Sequence, residues 1–252
     1  MQLISQSKAK QIRALHQKNY RDASRLFLVE GSKAILETIY SGGEIDFLVV
    51  SDSFYERYKN SLETYEEKLY VCNSVQLSQL STFKTNNAAL AVVKSQNSNA
   101  TPDQNQDLWL VLDTISDPGN LGTIIRLADW FGLKEVVTIG ECVEWNNPKV
   151  ISASMGSFLR IKQVKMDFET VFQLRSRSFL AHMDGESLHN FTFPEKSMLV
   201  IGNEANGISE NWFKTNAKAL TIPSFGKAES LNAGVAAGIF LNHYQFGKSK
   251  ST

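Results

Sequence analysis

The sequence predicts an α/β protein in which a small mixed domain is followed by a larger domain built on a parallel sheet. In the second half, short apolar runs that suit buried strands alternate with segments of helical periodicity, which is typical of a parallel sheet covered on both faces. A polar segment at residues 95–107 interrupts the pattern and has the composition of a linker. Hydrophobic residues make up 42% of the 252 residues, enough for packed cores. We therefore expect domains at 1–96 and 107–252, joined by a linker at 97–106.

The first domain is expected to mix helices and strands. Helical periodicity predicts one helix over residues 5–18, with Ile12 and Leu15 facing inward, and a second helix over 29–40. Short apolar runs predict strands at 45–50, 69–72 and 89–93.

The second domain alternates more strictly. Buried strands are expected at 108–112, 136–139, 161–164, 179–182, 199–201 and 220–222. The helices between and after them are expected at 121–131, 148–158, 168–175 and 230–246.

Composition excludes several classes of protein. No apolar run is long enough to span a bilayer, and the first residues lack the apolar region of a signal peptide, so we expect a cytoplasmic protein without membrane contact. Cys72 and Cys142 stand far apart among apolar neighbours, which predicts reduced thiols rather than a disulfide framework or a zinc site. The four histidines form no ligand motif, and no metal is expected.

Charge is zero over the whole chain but uneven along it. A net charge of zero argues against a protein that coats nucleic acid without selectivity. Residues 1–33 nevertheless hold seven basic and two acidic residues, a local charge of +5 that can follow phosphates or form a solvated helix face. The candidate RNA contacts in this segment are Lys8, Lys10, Arg13, Arg21 and Arg25.

Parallel sheets bind ligands beyond the carboxyl ends of their strands, and three segments that follow strands are unusual. In the first, a Pro-Gly turn precedes Asn120, which can cap the next helix, and Arg126 lies in an otherwise apolar stretch. A lone arginine in such a stretch usually pairs with a carboxylate, as in a helix–sheet salt bridge, or with a phosphate.

The second and third segments are rich in glycine. In the second, a strand ends at Gly202, which permits close approach of a ligand to the backbone, and Glu204 stands at the rim. In the third, residues 222–238 form a loop and a helix rich in Ala and Gly, for which Ser230 can serve as the cap. A dinucleotide-binding glycine motif after an early strand and a phosphate-binding P-loop are both missing, which argues against a dehydrogenase and against a nucleotide hydrolase.

In this order and spacing, the three segments resemble the motifs of the SpoU (TrmH-like) branch of the SPOUT methyltransferases, over most of residues 107–246. The matching residues are Asn120, Gly122 and Arg126 in the first motif, Gly202, Asn203 and Glu204 in the second, and Ile222, Pro223, Ser230, Leu231 and Asn232 in the third. Residues 25–31 are similar to the ribosomal-protein-like RNA-binding domain that many members carry. The sequence departs from the pattern at Ser152, where a basic residue is frequent, and at Ala233 and Gly234, where many relatives have Val and Ser.

The resemblance implies an enzyme that uses S-adenosylmethionine to methylate a ribose 2′-hydroxyl in structured RNA. It also implies a deep trefoil knot in the C-terminal SPOUT domain, a homodimer through the knot region whose partner completes each active site, and a small N-terminal α/β domain that binds RNA. Carried over by motif, the expected catalytic residues are Asn120, Arg126, Glu204 and Asn232, and the expected cofactor-binding residues are Gly202, Asn203, Ile222, Ser230 and Leu231.

Some alternatives stay open at this stage. A guanidine normally keeps its proton, so Arg126 is either made basic by its site or acts as a cation that binds phosphate and stabilises the developing alkoxide. The two-domain layout favours ribosomal RNA as the substrate, by analogy within the family, with transfer RNA as the alternative. A protein of the same fold that binds RNA without catalysis is the other candidate, and the intact set of four catalytic residues argues against it.

Overall fold

The structure, a computed structural model, describes residues 2–83, 85–95, 101–175 and 177–249, and these residues form two units. One unit lies within Met1–Gln96 and Asn146–Leu159, and the other within Asn97–Trp145 and Arg160–Thr252. Part of the expected linker, residues 97–100, lies outside the described residues.

The first unit is built on a mixed five-stranded sheet. Its strands are β1 (Gln2–Leu3), β2 (Leu26–Glu30), β3 (Ile45–Val50), β4 (Leu69–Val71) and β5 (Ala89–Lys94), in the spatial order β1-β4-β3-β5-β2. The helices around it are α1 (Gln6–Ala14), α2 (Lys18–Ser24), α3 (Ser32–Tyr40), α4 (Asp52–Leu62) and α5 (Ser74–Leu80). The strands expected at 45–50, 69–72 and 89–93 are confirmed, and Ile12 and Leu15 are fully buried as expected.

The second helix expected in this unit is correct only in part. Residues 29–40 were predicted as one helix, whereas Val29 and Glu30 complete β2 and the helix begins at Ser32. Gly31 separates the two elements at φ +87°, a conformation that glycine adopts without the steric cost of a side chain. The apolar run that begins at Leu26 therefore belongs to a buried strand, which periodicity alone does not separate from the helix that follows.

The second unit is built on a six-stranded parallel sheet, as predicted. Its strands are β6 (Leu108–Asp113), β7 (Glu135–Ile139), β8 (Lys162–Met166), β9 (Ser178–Ser187), β10 (Ser197–Ile201) and β11 (Lys218–Thr221), in the order β11-β9-β10-β6-β7-β8. The helices that cover it are α6 (Pro118–Trp130), α8 (Phe168–Leu174), α9 (Glu210–Phe213) and α10 (Ala233–Ser249). Among the described residues, no helix combines the length and the apolar composition needed to cross a membrane.

The helix α7 (Pro148–Ser154) packs with the first unit although it falls late in the chain. It lies against β2, and the ring of Phe158 after it meets that of Phe27 edge to face, 5.7 Å between centroids. Asn146, before the helix, donates from Nδ2 to Ser95 Oγ at 2.8 Å. The sequence analysis placed this segment in the second domain, at 107–252. The composition of the chain does not reveal that a later segment returns to the first unit.

Candidate active site

The candidate site lies between β6 and β10, where the order of strands in the parallel sheet reverses. From β6 the chain runs outward to β7 and β8 on one side, while β9, β10 and β11 lie on the other side of β6. The carboxyl ends of the neighbouring strands β6 and β10 meet at this reversal, which is where open parallel sheets bind ligands. The first two motifs follow these two strands.

The loop after β6 leads into α6, whose cap differs from the expected one. Asp117 is the N-cap residue and accepts the backbone N–H of Asn120 at 2.8 Å. The prediction that Asn120 caps this helix is therefore wrong. Asn120 lies in the first turn of α6 and is buried. Because its side chain does not cap the helix, it can bond to other loops of the site.

Asn120 joins the loops after β6, β10 and β11 through its side chain. Its Nδ2 donates to the carboxylate of Glu204, and its Oδ1 accepts from Asn232 Nδ2 at 2.6 Å. We call these three side chains the amide–carboxylate cluster. Residues far apart in the sequence, one from each motif, are thereby fixed in one hydrogen-bonded chain.

Asn232 also forms the start of α10. Its Oδ1 accepts the backbone N–H of Gly234 at 2.9 Å and that of Val235 at 3.2 Å, the pattern of an N-cap residue. The expectation that Ser230 caps this helix is wrong, because the helix begins at Ala233 and Asn232 occupies the capping position. Gly234 carries no side chain where a Cβ would lie 3.0 Å from a methyl group of Thr123, which allows α10 to pack closely on α6.

The loop after β10 is held by Asn203. Its Nδ2 donates to the carbonyl of Thr114 at 2.8 Å and to Ser116 Oγ at 2.9 Å, both in the loop after β6. Its Oδ1 accepts the backbone N–H of Ala205 at 2.8 Å, which closes a turn next to Glu204. Asn203 therefore fixes the conformation of one loop and its distance from the other.

Gly202 is required by the packing of this loop. A Cβ there would lie 2.5 Å from the carbonyl carbon and oxygen of Gly207, closer than real Cβ atoms approach. The sequence predicts that this glycine allows a ligand to approach, whereas the group that approaches most closely is the backbone of the same loop. The loop is also tied to β6, because Asp113 Oδ2 accepts the backbone N–H of Ser209 at 2.8 Å.

A pocket of about 870 Å³ lies beside the amide–carboxylate cluster. Its walls come from the middle of β9, the loops after β10 and β11, and the first turns of α10. All five residues expected to bind the cofactor, together with Glu204, line this pocket: Gly202, Asn203, Glu204, Ile222, Ser230 and Leu231. The other two members of the cluster are connected to the pocket through Glu204. Asn120 bonds to Glu204, and Asn232 bonds to Asn120.

Arg126 is not brought to this pocket. It follows Asn120 by six positions, which places it about 120° around α6 and about 9 Å further along the axis. It is exposed, and it forms no hydrogen bond or ion pair with any residue that the structure describes, so the structural alternative of a helix–sheet salt bridge is not observed. The guanidinium is therefore available to a partner outside this chain.

Cys142 lies near the loop after β6, and its thiol is protonated. Its Sγ is 3.5 Å from the carbonyl oxygens of Leu112 and Ile139. Burial raises the pKa of this thiol to about 11, an effect that the nearby backbone N–H groups of Ile115 and Thr114 partly offset. Cys72 is also free, in the first unit, and burial raises its pKa to about 11.

The basic residues of the first unit differ in their availability. Arg21 is buried and donates from Nη1 to the carbonyls of Leu15 and His16, so it stabilises the end of α1 and is not a phosphate contact. Lys8 lies 3.8 Å from Asp46 and over the ring of Phe47. Arg25 is exposed at the end of α2. Arg21, which the sequence analysis named as a candidate RNA contact, is therefore a structural residue.

Sequence reasoning missed several residues of the pocket. Ala181, His182 and Met183 line it from β9, and Phe225, Ala236 and Phe240 line it from the third motif and α10. The first three lie within β9, which continues to Ser187, so the rule that ligands lie beyond strand ends does not identify them. Phe225 lies two residues after the Ile-Pro pair of the third motif and could have been identified as an apolar residue in a polar loop.

Two family models match the chain. The SpoU rRNA Methylase family model matches residues 107–242, more than half of the chain, and a model described as the MRM3-like substrate binding domain matches residues 6–91. The first match contains all three motifs. The second falls within the first unit, so the N-terminal part is a substrate-binding domain.

Relatives and solved structures resemble the whole chain. A 23S rRNA (guanosine-2′-O)-methyltransferase of Bacillus subtilis is 29% identical over 94% of this chain and 95% of its own. An rRNA methyltransferase of Sinorhizobium meliloti, solved with bound AdoMet, superposes with a TM-score of 0.84 at 25% identity over 100% of this chain and 98% of its own. An RNA methyltransferase structure of the TrmH family from Porphyromonas gingivalis, whose assignment is provisional, gives a TM-score of 0.81 at 30% identity over 96% of this chain and 98% of its own. With its motifs gathered at one edge of a parallel sheet and matched by the family model, this chain belongs to the SpoU rRNA methylase family.

Proposed function

We propose that the pocket and the amide–carboxylate cluster form an active site that methylates a ribose 2′-hydroxyl of ribosomal RNA. The family makes the protein an S-adenosylmethionine-dependent RNA 2′-O-methyltransferase. The observation that carries the assignment of the site is the hydrogen-bonded chain from Asn232 through Asn120 to Glu204, which joins all three motifs beside one pocket. Ribosomal RNA is favoured over transfer RNA because relatives that span most of this chain are named for it.

The residues of the pocket fit S-adenosylmethionine. Its volume lies in the range of pockets that hold ligands of this size, and its walls combine apolar side chains with backbone polar groups. We assign the adenine and methionine parts to the backbone at Gly202, Ile222 and Leu231, with Asn203 and Ser230 beside them. When bound, the cofactor supplies a methyl carbon that is already electrophilic because it is attached to a sulfonium.

The protein then has two tasks, to align the ribose oxygen and to assist loss of its proton. Within the amide–carboxylate cluster, Asn120 uses both its donor and its acceptor to hold Glu204 and Asn232, so the carboxylate cannot rotate freely. We infer that the cluster orients the ribose at the edge of the pocket. Arg126 either removes the proton or stabilises the alkoxide as it forms, and both roles remain consistent with its exposed position.

We further propose a homodimer in which Arg126 reaches the pocket of the partner. Arg126 has no partner among the described residues of its own chain and does not line its own pocket. Near it, Trp130 on α6 is 81% exposed, and on α10 a stripe of exposed apolar side chains at helical spacing includes Val235, Ile239 and Phe246. The two helices pack together, so they offer one apolar surface of the kind that a second copy covers.

The dimer has a direct test. Arg126→Ala and Glu204→Ala should each be inactive alone, and co-expression should restore about a quarter of wild-type activity, because half of randomly mixed dimers are mixed and each then holds one intact site. Light scattering should give the mass of two chains. A monomeric mass, or no recovery in dimers shown to be mixed, would exclude the shared site.

The remaining features are proposed from the family. The helix α10 returns to the first strand and helix of the unit. Lys248 pairs with Asp107, and Gln245 donates to the carbonyl of Phe131. This return is consistent with a deep trefoil knot. The residues at 1–96 are proposed to bind RNA and those at 107–252 to carry out catalysis, in the cytoplasm.

Two measurements test the function. Calorimetry of the full chain with S-adenosylmethionine should show binding, and the purified protein should methylate ribosomal RNA from a strain that lacks the gene, at a 2′-hydroxyl that is methylated in the parent strain. Cofactor binding without methylation of ribosomal or transfer RNA would favour the alternative, a protein of this fold that binds RNA without catalysis. Methylation of transfer RNA alone would correct the substrate.

A further inference from the structure

The loop after β11 carries an aromatic side chain that the active site described above does not use. This loop connects Thr221 to Asn232, and both ends are fixed: Thr221 pairs with Ser187 of β9, and Asn232 belongs to the amide–carboxylate cluster. Phe225 lies between them and lines the mouth of the pocket.

Phe225 points into solvent. Its exposed fraction is 96%, the largest of any apolar side chain described in the structure. Water disfavours an exposed phenyl ring, and burial of the ring against another surface is favourable. Single exposed apolar residues are common on protein surfaces, so exposure alone has no functional meaning. The position of this ring, at the mouth of the pocket and within the third motif loop, distinguishes it from the others.

The local geometry presents the ring at the tip of a turn. Ser224 Oγ donates to the carbonyl of Gly226 at 3.4 Å, across the residue that carries the ring. A Cβ placed on Gly226 would meet nothing within 4 Å, so no described part of the chain packs against this tip. Lys227 follows, exposed and without a hydrogen bond or ion pair to the described residues. An aromatic face and an adjacent cation thus lie together at the mouth of the pocket.

This pair has the chemistry that recognises single-stranded RNA. Proteins that read RNA bases in loops and bulges stack them on aromatic rings and hold the neighbouring phosphates with cations. Loops and bulges leave nucleotides outside the regular stack, so a ribose that is held at a pocket there has an exposed base beside it.

We propose that Phe225 is a specificity-determining residue that stacks on the exposed base of the nucleotide to be methylated, while Lys227 binds an adjacent phosphate. The inference rests on the proposed function and adds to it a residue that contacts the base rather than the ribose. A purine, with its larger face, should gain more from this contact than a pyrimidine.

Three variants separate stacking from other roles of the ring. The substrate is ribosomal RNA from a strain that lacks the gene, methylated with labelled S-adenosylmethionine. Phe225→Ala and Phe225→Leu should lower kcat/KM for the RNA about 5- to 150-fold, the range found when stacking residues are truncated. Phe225→Trp should retain activity close to that of the wild type, because it keeps an aromatic face. Leu174→Ala, which removes an exposed apolar side chain outside the pocket, serves as the control and should leave activity unchanged.

The outcomes distinguish this inference from the function on which it rests. Calorimetry should give the same affinity for S-adenosylmethionine in every variant, and light scattering the same mass. An active wild type with equally active Phe225→Ala and Phe225→Leu overturns the inference alone. A loss of cofactor affinity would assign the ring to the cofactor pocket, and a change in mass would assign it to a contact between subunits; either result overturns the inference. A wild type that methylates no RNA overturns the proposed function itself.

Discussion

At the scale of single residues, Arg126 allows a sharp test of chemistry. Arg126→Ala should abolish methyl transfer and leave cofactor affinity unchanged, because Arg126 belongs to the first motif and the residues assigned to the cofactor belong to the other two. Arg126→Lys should also fail, since an ammonium lacks the planar fork of donors that a guanidinium offers. Turnover on ribosomal RNA and calorimetry with S-adenosylmethionine measure the two effects. Arg160→Ala is the control on the same unit, because that guanidinium pairs with Asp129. Near-normal turnover of Arg126→Ala would contradict the catalytic assignment.

The thiols predict a dependence on pH. Burial raises the pKa of Cys142 and Cys72 to about 11, so about one thousandth of each is thiolate at pH 8. Alkylation by iodoacetamide, followed by mass spectrometry, should therefore be slow up to pH 9 and accelerate towards pH 11. In urea, where a free thiol has a pKa near 8.5, the same residues should react rapidly at pH 8. Equal rates in the folded and unfolded protein would contradict the burial of these groups.

Motif matching predicted which residues gather at the pocket, but not how they are bonded. All five expected cofactor residues line it. The two expected helix caps were wrong because a cap depends on which neighbouring side chain bonds the free N–H groups, and Asp117 and Asn232 do so here. Arg21 was expected to meet RNA because a count of charges contains no information about burial.

At the scale of elements, Arg175 fixes the start of the second unit. It is 6% exposed, lies over the ring of Trp109 at 4.0 Å, and donates to the carbonyls of Gln104, Gln106 and Ser197. Arg175→Met should lower the free energy of unfolding by about 3 kcal/mol, since three bonds from a charged donor are lost, one of them to the buried carbonyl of Ser197. Urea denaturation measures this change. Arg177→Met, which removes an exposed guanidinium bonded to the carbonyl of Glu195, is the control, and an equal loss would argue against the role of burial.

The elements that the sequence predicted are those with long apolar runs. The strands of the parallel sheet and the long helices α6 and α10 were found at nearly their observed positions. The helix α4 was missed because most of its residues are polar, and α5 because it has only seven residues, although Asn73 and Gln76 form a capping box that marks the start of α5. Lysines at the sheet edges, such as Lys162 on β8 and Lys218 on β11, help to protect the open edges from further strand pairing.

At the scale of the whole molecule, the basic segment should control RNA affinity. Lys10, Arg13 and Lys33 are exposed and have no partner among the described residues, whereas Lys18 pairs with Asp22. Replacing all three by Gln should weaken RNA binding and reduce the slope of log affinity against log salt by about 2 to 3, one unit or slightly less per lost phosphate contact. Fluorescence anisotropy with ribosomal RNA fragments measures the slope. Lys18→Gln should change it less, and an unaltered slope in the triple variant would show that these charges only face solvent.

The division of the chain into units could not be predicted in full. The polar linker at 97–106 gave the main boundary, but the segment Asn146–Leu159 packs with the first unit through contacts such as that between Phe158 and Phe27. Such a return is set by tertiary packing and leaves no local composition signal. It also means that deletion of residues 1–96 would expose an apolar surface on α7, so substitutions of the basic residues test RNA binding more cleanly.

The hydrogen-bonded chain from Asn232 to Glu204 has a consequence for synthesis of the protein. The first motif emerges from the ribosome long before the third, yet Asn120 has both of its partners only when the loop after β11 is in place. We therefore expect the substrate-binding unit to be completed, by the segment Asn146–Leu159, before the cofactor pocket is. Translation that stops before Asn232 yields a polypeptide that lacks α10 and the side chain that fixes Asn120, so we expect a premature fragment to bind RNA without modifying it.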